Sequence, residues 1–259
     1  MQNTKKPVVL ITGSVKRTGL AVAETFARRG FDIALHHRSS PAAAVQACAV
    51  LASHGVRAIA YECNLTQHEA VDRLIASVYH DFGCLDVLVN NASVFIQDKL
   101  ADFDIRDLDD AWNVNCRAPL LLTRAFHDRA KAAGTTGVVV NVIDQKVKDN
   151  FHPDHFSYTV AKTALGNLTA MLAVSCSPVL RVNAVYPGLM LPSDDQTQAD
   201  FEHAARRSSP LGHAASPVDM AEAIIELTQA RYNGAEIVVD AGQNLIRVEQ
   251  DVIYKYRAE

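Results

Sequence analysis

No apolar run in this chain is long enough to cross a bilayer; the longest are of strand length, which excludes a membrane span. The chain enters its first apolar segment at Pro7 without the core of a signal peptide, so a cytoplasmic protein is expected. The five cysteines, Cys48, Cys63, Cys84, Cys116 and Cys176, are odd in number and lack any Cys-x-x-Cys spacing. That argues for reduced thiols, against a disulfide framework, and for no metal site. Basic charge is not in excess, with 25 Lys and Arg against 29 Asp and Glu, so nothing here suits nucleic acid or an anionic membrane. Repeats, low-complexity tracts and linkers are also missing, and 259 residues read as one α/β domain over 1–259.

What is present begins with an anion site. The β-branched run Pro7 to Thr12 is followed by Gly13-Ser14-Val15-Lys16-Arg17-Thr18-Gly19 and then by a helical pattern through Ala27 that ends at Gly30. A strand, a glycine turn and a helix N-terminus bring bare backbone amides and the helix dipole to a pyrophosphate. A second strand, Phe31 to His37, completes a nucleotide-binding βαβ unit. It ends in His37-Arg38-Ser39-Ser40, with no acid to grip a ribose 2′-hydroxyl. A basic, hydroxylic strand end suits a 2′-phosphate instead, so the expected cofactor is NADPH; an ordinary solvated loop charge is the plainer reading of Arg38.

The remaining chain alternates as a parallel sheet requires, with strands expected at Arg57 to Glu62, Leu85 to Asn90, Gly137 to Ile143, Leu180 to Val185 and Glu236 to Val239. Helical patterns fall at Ala42 to Ser53, Gln67 to Phe82, Ile105 to Ala133 with a break near Asn115 and Pro119, Phe156 to Ser175, and Pro217 to Ala230. The expected fold is a doubly wound Rossmann α/β domain, about seven parallel strands with helices on both faces. Residues 191–211 are polar and without clear period, which reads as a substrate lid or a disordered loop, and 248–259 as a C-terminal extension of unread role.

Tyr158 and Lys162 are spaced Tyr-x-x-x-Lys, which puts both on one helix face. An ammonium beside a phenol favours the ionised form and would lower the tyrosine's pKa towards neutrality. On its own the pair is equally what chance supplies on a helix. Its company decides, and Asp144 stands upstream at a strand end where a hydroxyl would be expected.

With Thr12-Gly13 to Gly19, Asn90-Asn91-Ala92-Ser93, Asn115, Tyr158 to Lys162, Pro187-Gly188 and Asp240-Ala241-Gly242, the chain resembles the short-chain dehydrogenase/reductase family over nearly its whole length. Within it the chain looks like the pteridine reductases, including the dihydromonapterin reductases also described as alternative dihydrofolate reductases. The particulars are Lys16-Arg17 in place of a third glycine, His37-Arg38-Ser39, Asn-Asn-Ala-Ser-x-Phe ending at Phe95, and aspartate at position 144 where other members carry serine. The resemblance implies Asp144, Tyr158, Lys162 and Asn115 as catalytic residues, with Asn115 positioning a water in the proton relay. It implies cofactor contacts from Gly13, Lys16, Arg17, Gly19, His37, Arg38, Ser39, Asn64, Leu65, Asn91, Ala92, Ser93, Tyr158, Lys162, Pro187, Gly188 and Leu189. Substrate contacts would come from Arg17, Ser93, Phe95, Asp144 and Tyr158, with the phenyl ring stacked on a pterin.

A pterin gives Asp144 a chemical reason, because its ring nitrogens must be protonated as hydride arrives at the adjacent carbon, and a carboxyl can relay that proton. Four departures stand against the pattern. Asp144 lies fourteen positions before Tyr158, one more than usual in the family; Asn64 replaces an aspartate near the adenine; Met190 stands where serine is common; Ala241 interrupts the usual double glycine. His152 and His155 read as loop residues rather than catalysts, and without the preceding Asn-Asn-Ala-Ser, Phe95 would read as a core aromatic. A carbonyl or 3-oxoacyl reductase would keep Tyr158 and Lys162 but would want serine at 144 and glycine at 17, and a non-catalytic NADPH-sensing module would need no acid. The apolar residues Leu165, Leu168 and Leu172 on the Tyr158 helix, with the family's habit of pairing that helix, imply a homotetramer, and Arg247 aligns with an arginine that reaches a neighbouring subunit's site.

Overall fold

The computed structural model describes residues 5–193 and 196–256. Seven parallel strands, β1 (Val8–Ile11), β2 (Asp32–His37), β3 (Ala58–Glu62), β4 (Val87–Asn90), β5 (Gly137–Val142), β6 (Leu180–Pro187) and β7 (Glu236–Val239), pair in the order β3-β2-β1-β4-β5-β6-β7. The chain works outward from β1 to β3 and then returns to the other side of β1, so the order reverses between β1 and β4. A crevice opens at that switch point beyond the strands' carboxyl ends. Every site residue singled out in the turns after β1, β4, β5 and β6 therefore arrives at one edge.

Helices α1 (Arg17–Arg28), α2 (Pro41–Ala52), α3 (His68–Phe82), α4 (Ile105–Trp112), α5 (Ala118–Ala133), α6 (Phe156–Ser175), α7 (Gln198–Ser208), α8 (Pro217–Leu227) and α9 (Val252–Lys255) complete the described elements. Strand alternation divides the core. Val9, Ile11, Ile33 and Leu35 face α1 and α8 through Val22, Phe26, Met220 and Ile224, while Val8, Leu10 and Leu88 face α3 and α5 through Leu74, Ile75, Leu122 and Phe126. A buried polar chain ties the middle of the sheet to α6: Asn90 Nδ2 donates to Asn141 Oδ1 at 2.8 Å, and Asn141 Nδ2 donates to Thr169 Oγ1 at 2.9 Å. Tyr158 and Lys162 sit about three and two turns before Thr169 on the same helix, so the network helps to fix their height over the sheet.

Three segments take a more definite form in the structure. The break inside 105–133 is one π-helical turn, Asn113–Arg117, centred on Asn115, while Pro119 sits in the first turn of α5, where its missing N–H costs nothing. The aperiodic 191–211 segment contains α7, started by a capping box in which Thr197 and Asp200 bond each other's backbone amides. Residues 194–195 of this segment and 257–259 of the tail lie outside the described residues. The tail is ordered structure through α9, which packs on α7 with Val248 and Val252 buried. No helix among the described residues is long and apolar enough to cross a membrane.

Candidate active site

Thr12 locks the first turn to the end of β4. Its Oγ1 accepts the amides of Asn91 and Ala92 at 3.0 and 2.9 Å, and Asn91 Nδ2 donates to the carbonyls of Thr12 and Gly13. The packing leaves no room for side chains: a Cβ on Gly13 would stand 2.9 Å from Ala92 Cα, and one on Gly19 would stand 2.3 Å from the Gly13 carbonyl. The N-cap of α1, Lys16, is extended and makes no side-chain cap, and the first turn carries no acid, so its amides and dipole are offered to an anion. Arg17 has φ +52°, a left-handed conformation in which glycine would be unstrained and any other residue costs about 1–2 kcal/mol. Its Nη2 donates to the Pro192 carbonyl at 2.7 Å, and the side chain borders both the nucleotide groove and the reaction cavity.

The nucleotide groove, about 490 Å³, is lined by Lys16, Arg38, Asn64, Leu65, Ala92 and Ser93 among others. Strand parity corrects one expectation: His36, not His37, faces the groove. His37 turns to the other side, where its Nδ1 accepts the Ser40 amide at 3.2 Å and shapes the 38–40 turn. His36 Nδ1 accepts the Gly13 amide at 3.0 Å and its Nε2 faces the Cys63 carbonyl at 2.9 Å, a pattern that needs the neutral ring with its proton on Nε2. Burial lowers this histidine's pKa to about 4 and keeps it so. Asn64 accepts from the amide and hydroxyl of Thr66, holding the turn after β3 at the groove wall.

Between β5 and Tyr158 the chain makes a 3-10 turn, Gln145–Val147, and passes through Asp149 at φ +66°. Asp144 Oδ1 accepts the Lys146 amide at 2.7 Å, and Tyr158 donates to Asp144 Oδ2 at 2.7 Å. Tyr158 is buried and Asp144 half-buried at the cavity wall. Burial first, and the charge of Asp251 as well, push the Asp144 carboxyl upward, while burial and the adjacent Asp144 push the Tyr158 phenol well above its ordinary value. The expected lowering of the phenol by Lys162 therefore does not hold here. Lys162 Nζ donates to the Val142 carbonyl at 2.7 Å and stands 5.8 Å from the phenol ring centroid, and burial lowers its own pKa to about 8.

The Asn115 carboxamide accepts the Val94 amide and donates to the Val94 carbonyl, both at 2.8 Å, so the side chain ties the π turn to the Ser93 to Phe95 segment. Phe95 is 49% exposed and lines the reaction cavity, with one face stacked on His155 at 3.8 Å and its ring edge-on to Tyr158 at 4.7 Å. The cavity, about 260 Å³, gathers Arg17, Ser93, Phe95, Asp144, Tyr158 and Lys162 with Pro187, Gly188, Leu189 and Met190. Gln243 Oε1 accepts the Leu189 amide at 2.9 Å and holds that last loop in place.

Sequence reading missed part of the wall. His152 and Lys146 from the loop after β5, and Val248, Asp251, Val252 and Ile253 from the tail, line the same cavity. A signal was there for the tail: Asp251 is of a helix-capping type, and its carboxylate accepts the Ile253 amide at the start of α9.

Comparison with known proteins agrees with this geometry. The family described as Enoyl-(Acyl carrier protein) reductase matches residues 15–244. Pteridine reductase 1 of Leishmania tarentolae is 31% identical over 93% of this chain and 97% of its own length, and 3beta-hydroxysteroid dehydrogenase 1 of Eggerthella lenta is 30% identical over 93% and 95%. The crystal structure of FolM alternative dihydrofolate reductase 1 from Brucella canis, complexed with NADP, superposes with a TM-score of 0.84 at 32% identity, covering 96% of this chain and 98% of that one. A Rossmann sheet, a glycine turn closed by Asn91, a Tyr158–Lys162 helix face and a family match over 15–244 place the chain in the short-chain dehydrogenase/reductase family of oxidoreductases.

Proposed function

We propose that this enzyme is an NADPH-dependent reductase that takes a reduced pterin or folate, dihydromonapterin, dihydrobiopterin or dihydrofolate, to its tetrahydro form. The observation that carries the reading is the part-buried 2.7 Å bond between Tyr158 and Asp144. A carbonyl reductase needs a hydroxyl donor to an oxyanion; this pair sets a phenol donor against a carboxyl that can resupply it, which suits a ring nitrogen that must gain a proton. NADPH, when bound, supplies the hydride. The groove fits it through the glycine cradle, the uncapped α1 N-terminus and Arg38 at the 2′-phosphate end. Tyr158 would give the proton and Asp144 would restore it, while Lys162 would hold the nicotinamide ribose and Arg17, which borders both cavities, would serve cofactor phosphate and pterin. The Brucella canis and Leishmania tarentolae relatives support this reading by what their names say they reduce.

A substrate panel tests it. NADPH oxidation is expected with dihydromonapterin and dihydrobiopterin and more slowly with dihydrofolate, with simple ketones and 3-oxoacyl thioesters poor. Efficient 3-oxoacyl reduction without pterin turnover would establish the carbonyl-reductase alternative. In the same assay NADPH should be preferred over NADH, and Arg38→Ala should erase about tenfold or more of that preference, the worth of one charge-assisted contact at roughly 1.5 to 3 kcal/mol.

We further propose a cytoplasmic homotetramer in which 191–211 closes over the substrate, its helix α7 braced by α9. The apolar face offered on α6 is not the one expected from the sequence. Leu165 is buried in this chain's own core, whereas Met171 is 63% and Val174 80% exposed, with Val160 on the same side. Light scattering of the native chain should give the tetramer mass, and Val174→Asp combined with Met171→Glu should dissociate it; an active native monomer would refute the assembly.

A further inference from the structure

The donor pair can act once per proton. When Tyr158 has given its O–H proton to the substrate, the Asp144 O–H bond breaks to re-form it, and Asp144 is left a buried carboxylate. One proton from solvent must reach it before the next turnover. Five titratable groups stand behind Asp144, and the C-terminal tail brings one of them. Asp251 is placed by its own amide, which donates to Asp154 Oδ2 at 2.7 Å. His152, with a side chain 5% exposed, lies between the two carboxylates, its Nδ1 3.7 Å from Asp154 Oδ2 and its Nε2 3.6 Å from Asp251 Oδ2. Neither contact is a hydrogen bond, and His152 Nδ1 is a buried nitrogen without a hydrogen-bond partner. His155 Nε2 approaches Asp251 at 3.8 Å from the other side, and Lys146 Nζ donates to the Asp154 carbonyl.

His152 also forms part of two walls. It lines the reaction cavity with Asp144, Tyr158 and Asp251, and it lines an outer groove over α6 with Phe151, Thr159 and Thr163. A side chain that is inside and outside at once, is loosely held, and has two ring nitrogens is built to pass a proton rather than to brace the fold.

We propose that His152, steered by Asp251 of the C-terminal tail, is the proton relay that refills Asp144 from solvent after each turnover. The ring accepts a proton at the outer groove and becomes an imidazolium between Asp154 and Asp251; an N–H bond then breaks as the Asp144 O–H bond forms, and the neutral ring is restored. Burial and the Lys146 charge lower the His152 pKa to about 4, and Asp251 and Asp154 act to raise it, so the imidazolium is a short-lived carrier. Lys99, paired with Asp154 at 3.3 Å, and the buried Asp98, whose charge acts on Lys146, also face this cluster, and His155 Nε2 is 3.2 Å from the Tyr254 hydroxyl. His152 and Asp251 are thus positioning residues that act through Asp144. The inference rests on the donor role of Asp144 in the proposed reaction and not on which substrate takes the proton.

Stopped-flow single turnovers and steady-state rates on the full chain with NADPH and dihydrobiopterin separate relay from support. In His152→Gln and in Asp251→Asn the first turnover should fall far less than the steady-state rate, which should drop about 10²-fold and be partly restored by imidazole in the buffer. Asp251→Glu should retain the native ratio, which guards against a loss due to misfolding. A substrate-free measurement runs beside these: the carboxyl carbon resonance of Asp144 should titrate at lower pH in Asp251→Asn than in the native chain. Equal loss in both kinetic phases, an unchanged steady state, or an unmoved Asp144 titration would each overturn the relay. A native chain that turns over ketones and no pterin would instead overturn the pterin reading, and the two kinetic phases would then be compared on the ketone.

Discussion

Asp144→Ser is expected to lower pterin turnover by about 10² to 10⁴-fold, the usual worth of a positioned proton donor, with NADPH affinity nearly unchanged. The asymmetry follows from geometry. Asp144 meets Tyr158 at 2.7 Å in the reaction cavity, whereas the nucleotide groove is lined from the turns after β1 to β4. A serine has one short hydroxyl, and it cannot both take the Lys146 amide, as Asp144 Oδ1 does, and reach Tyr158. The pH dependence has a definite sign. Burial raises the Asp144 pKa, so the working acid form is complete below that raised value and is lost as pH rises through it. The alkaline limb of kcat should therefore belong to the Asp144–Tyr158 pair in the native enzyme, titrating as a unit, and should disappear in Asp144→Ser. A pH–rate profile of both proteins checks this; a variant that keeps the native limb and the native rate would remove Asp144 from the mechanism.

The parts of this site legible in the sequence are those whose chemistry is local. Gly13 and Gly19 announce an anion turn because only bare backbone fits between the ends of β1 and β4, and the Tyr158–Lys162 spacing is a helix face by geometry alone. Strands such as Gly137 to Val142 are read from their β-branched runs because both sheet faces are covered. What failed was set by contacts distant in sequence. Whether His36 or His37 enters the groove depends on strand parity, fixed by pairing with β1 and β3. Lys162 was expected to serve the phenol, but the Val142 carbonyl at the end of β5 takes its ammonium. Leu165 looked like an assembly residue until Ile143, Ala184 and Tyr186 covered it. The helix α7 has too few apolar residues for a period, although the Thr197-x-x-Asp200 box marks its start. The tail needed the most distant information, since Asp251 finds its place only through Asp154, 97 positions earlier.

Gly19→Ala tests whether the first turn is as tightly specified as its packing implies. The added Cβ would stand 2.3 Å from the Gly13 carbonyl and 2.8 Å from both Ser14 Cα and Asn91 Nδ2. Two of those atoms are backbone, and the third belongs to the side chain that bonds the Thr12 and Gly13 carbonyls, so relief requires the turn to open. Overpacking of this kind costs about 1–3 kcal/mol, and the same movement displaces the amides meant for the pyrophosphate. NADPH binding, followed by fluorescence titration, should weaken by about 10²-fold, which is roughly 3 kcal/mol. Gly55→Ala is the control. At φ +75° and with nothing within 4 Å, a side chain there meets only the left-handed backbone penalty of about 1–2 kcal/mol, so urea unfolding should shift while the NADPH dissociation constant does not. If Gly19→Ala binds NADPH as the native chain does, the cofactor does not lie against this turn, and the strained Arg17 beside it would lose its reason too. If instead both glycine variants lose stability but only Gly19→Ala loses the cofactor, the close approach at Gly19 is a binding feature, and the left-handed backbone at Gly55 is only a matter of folding.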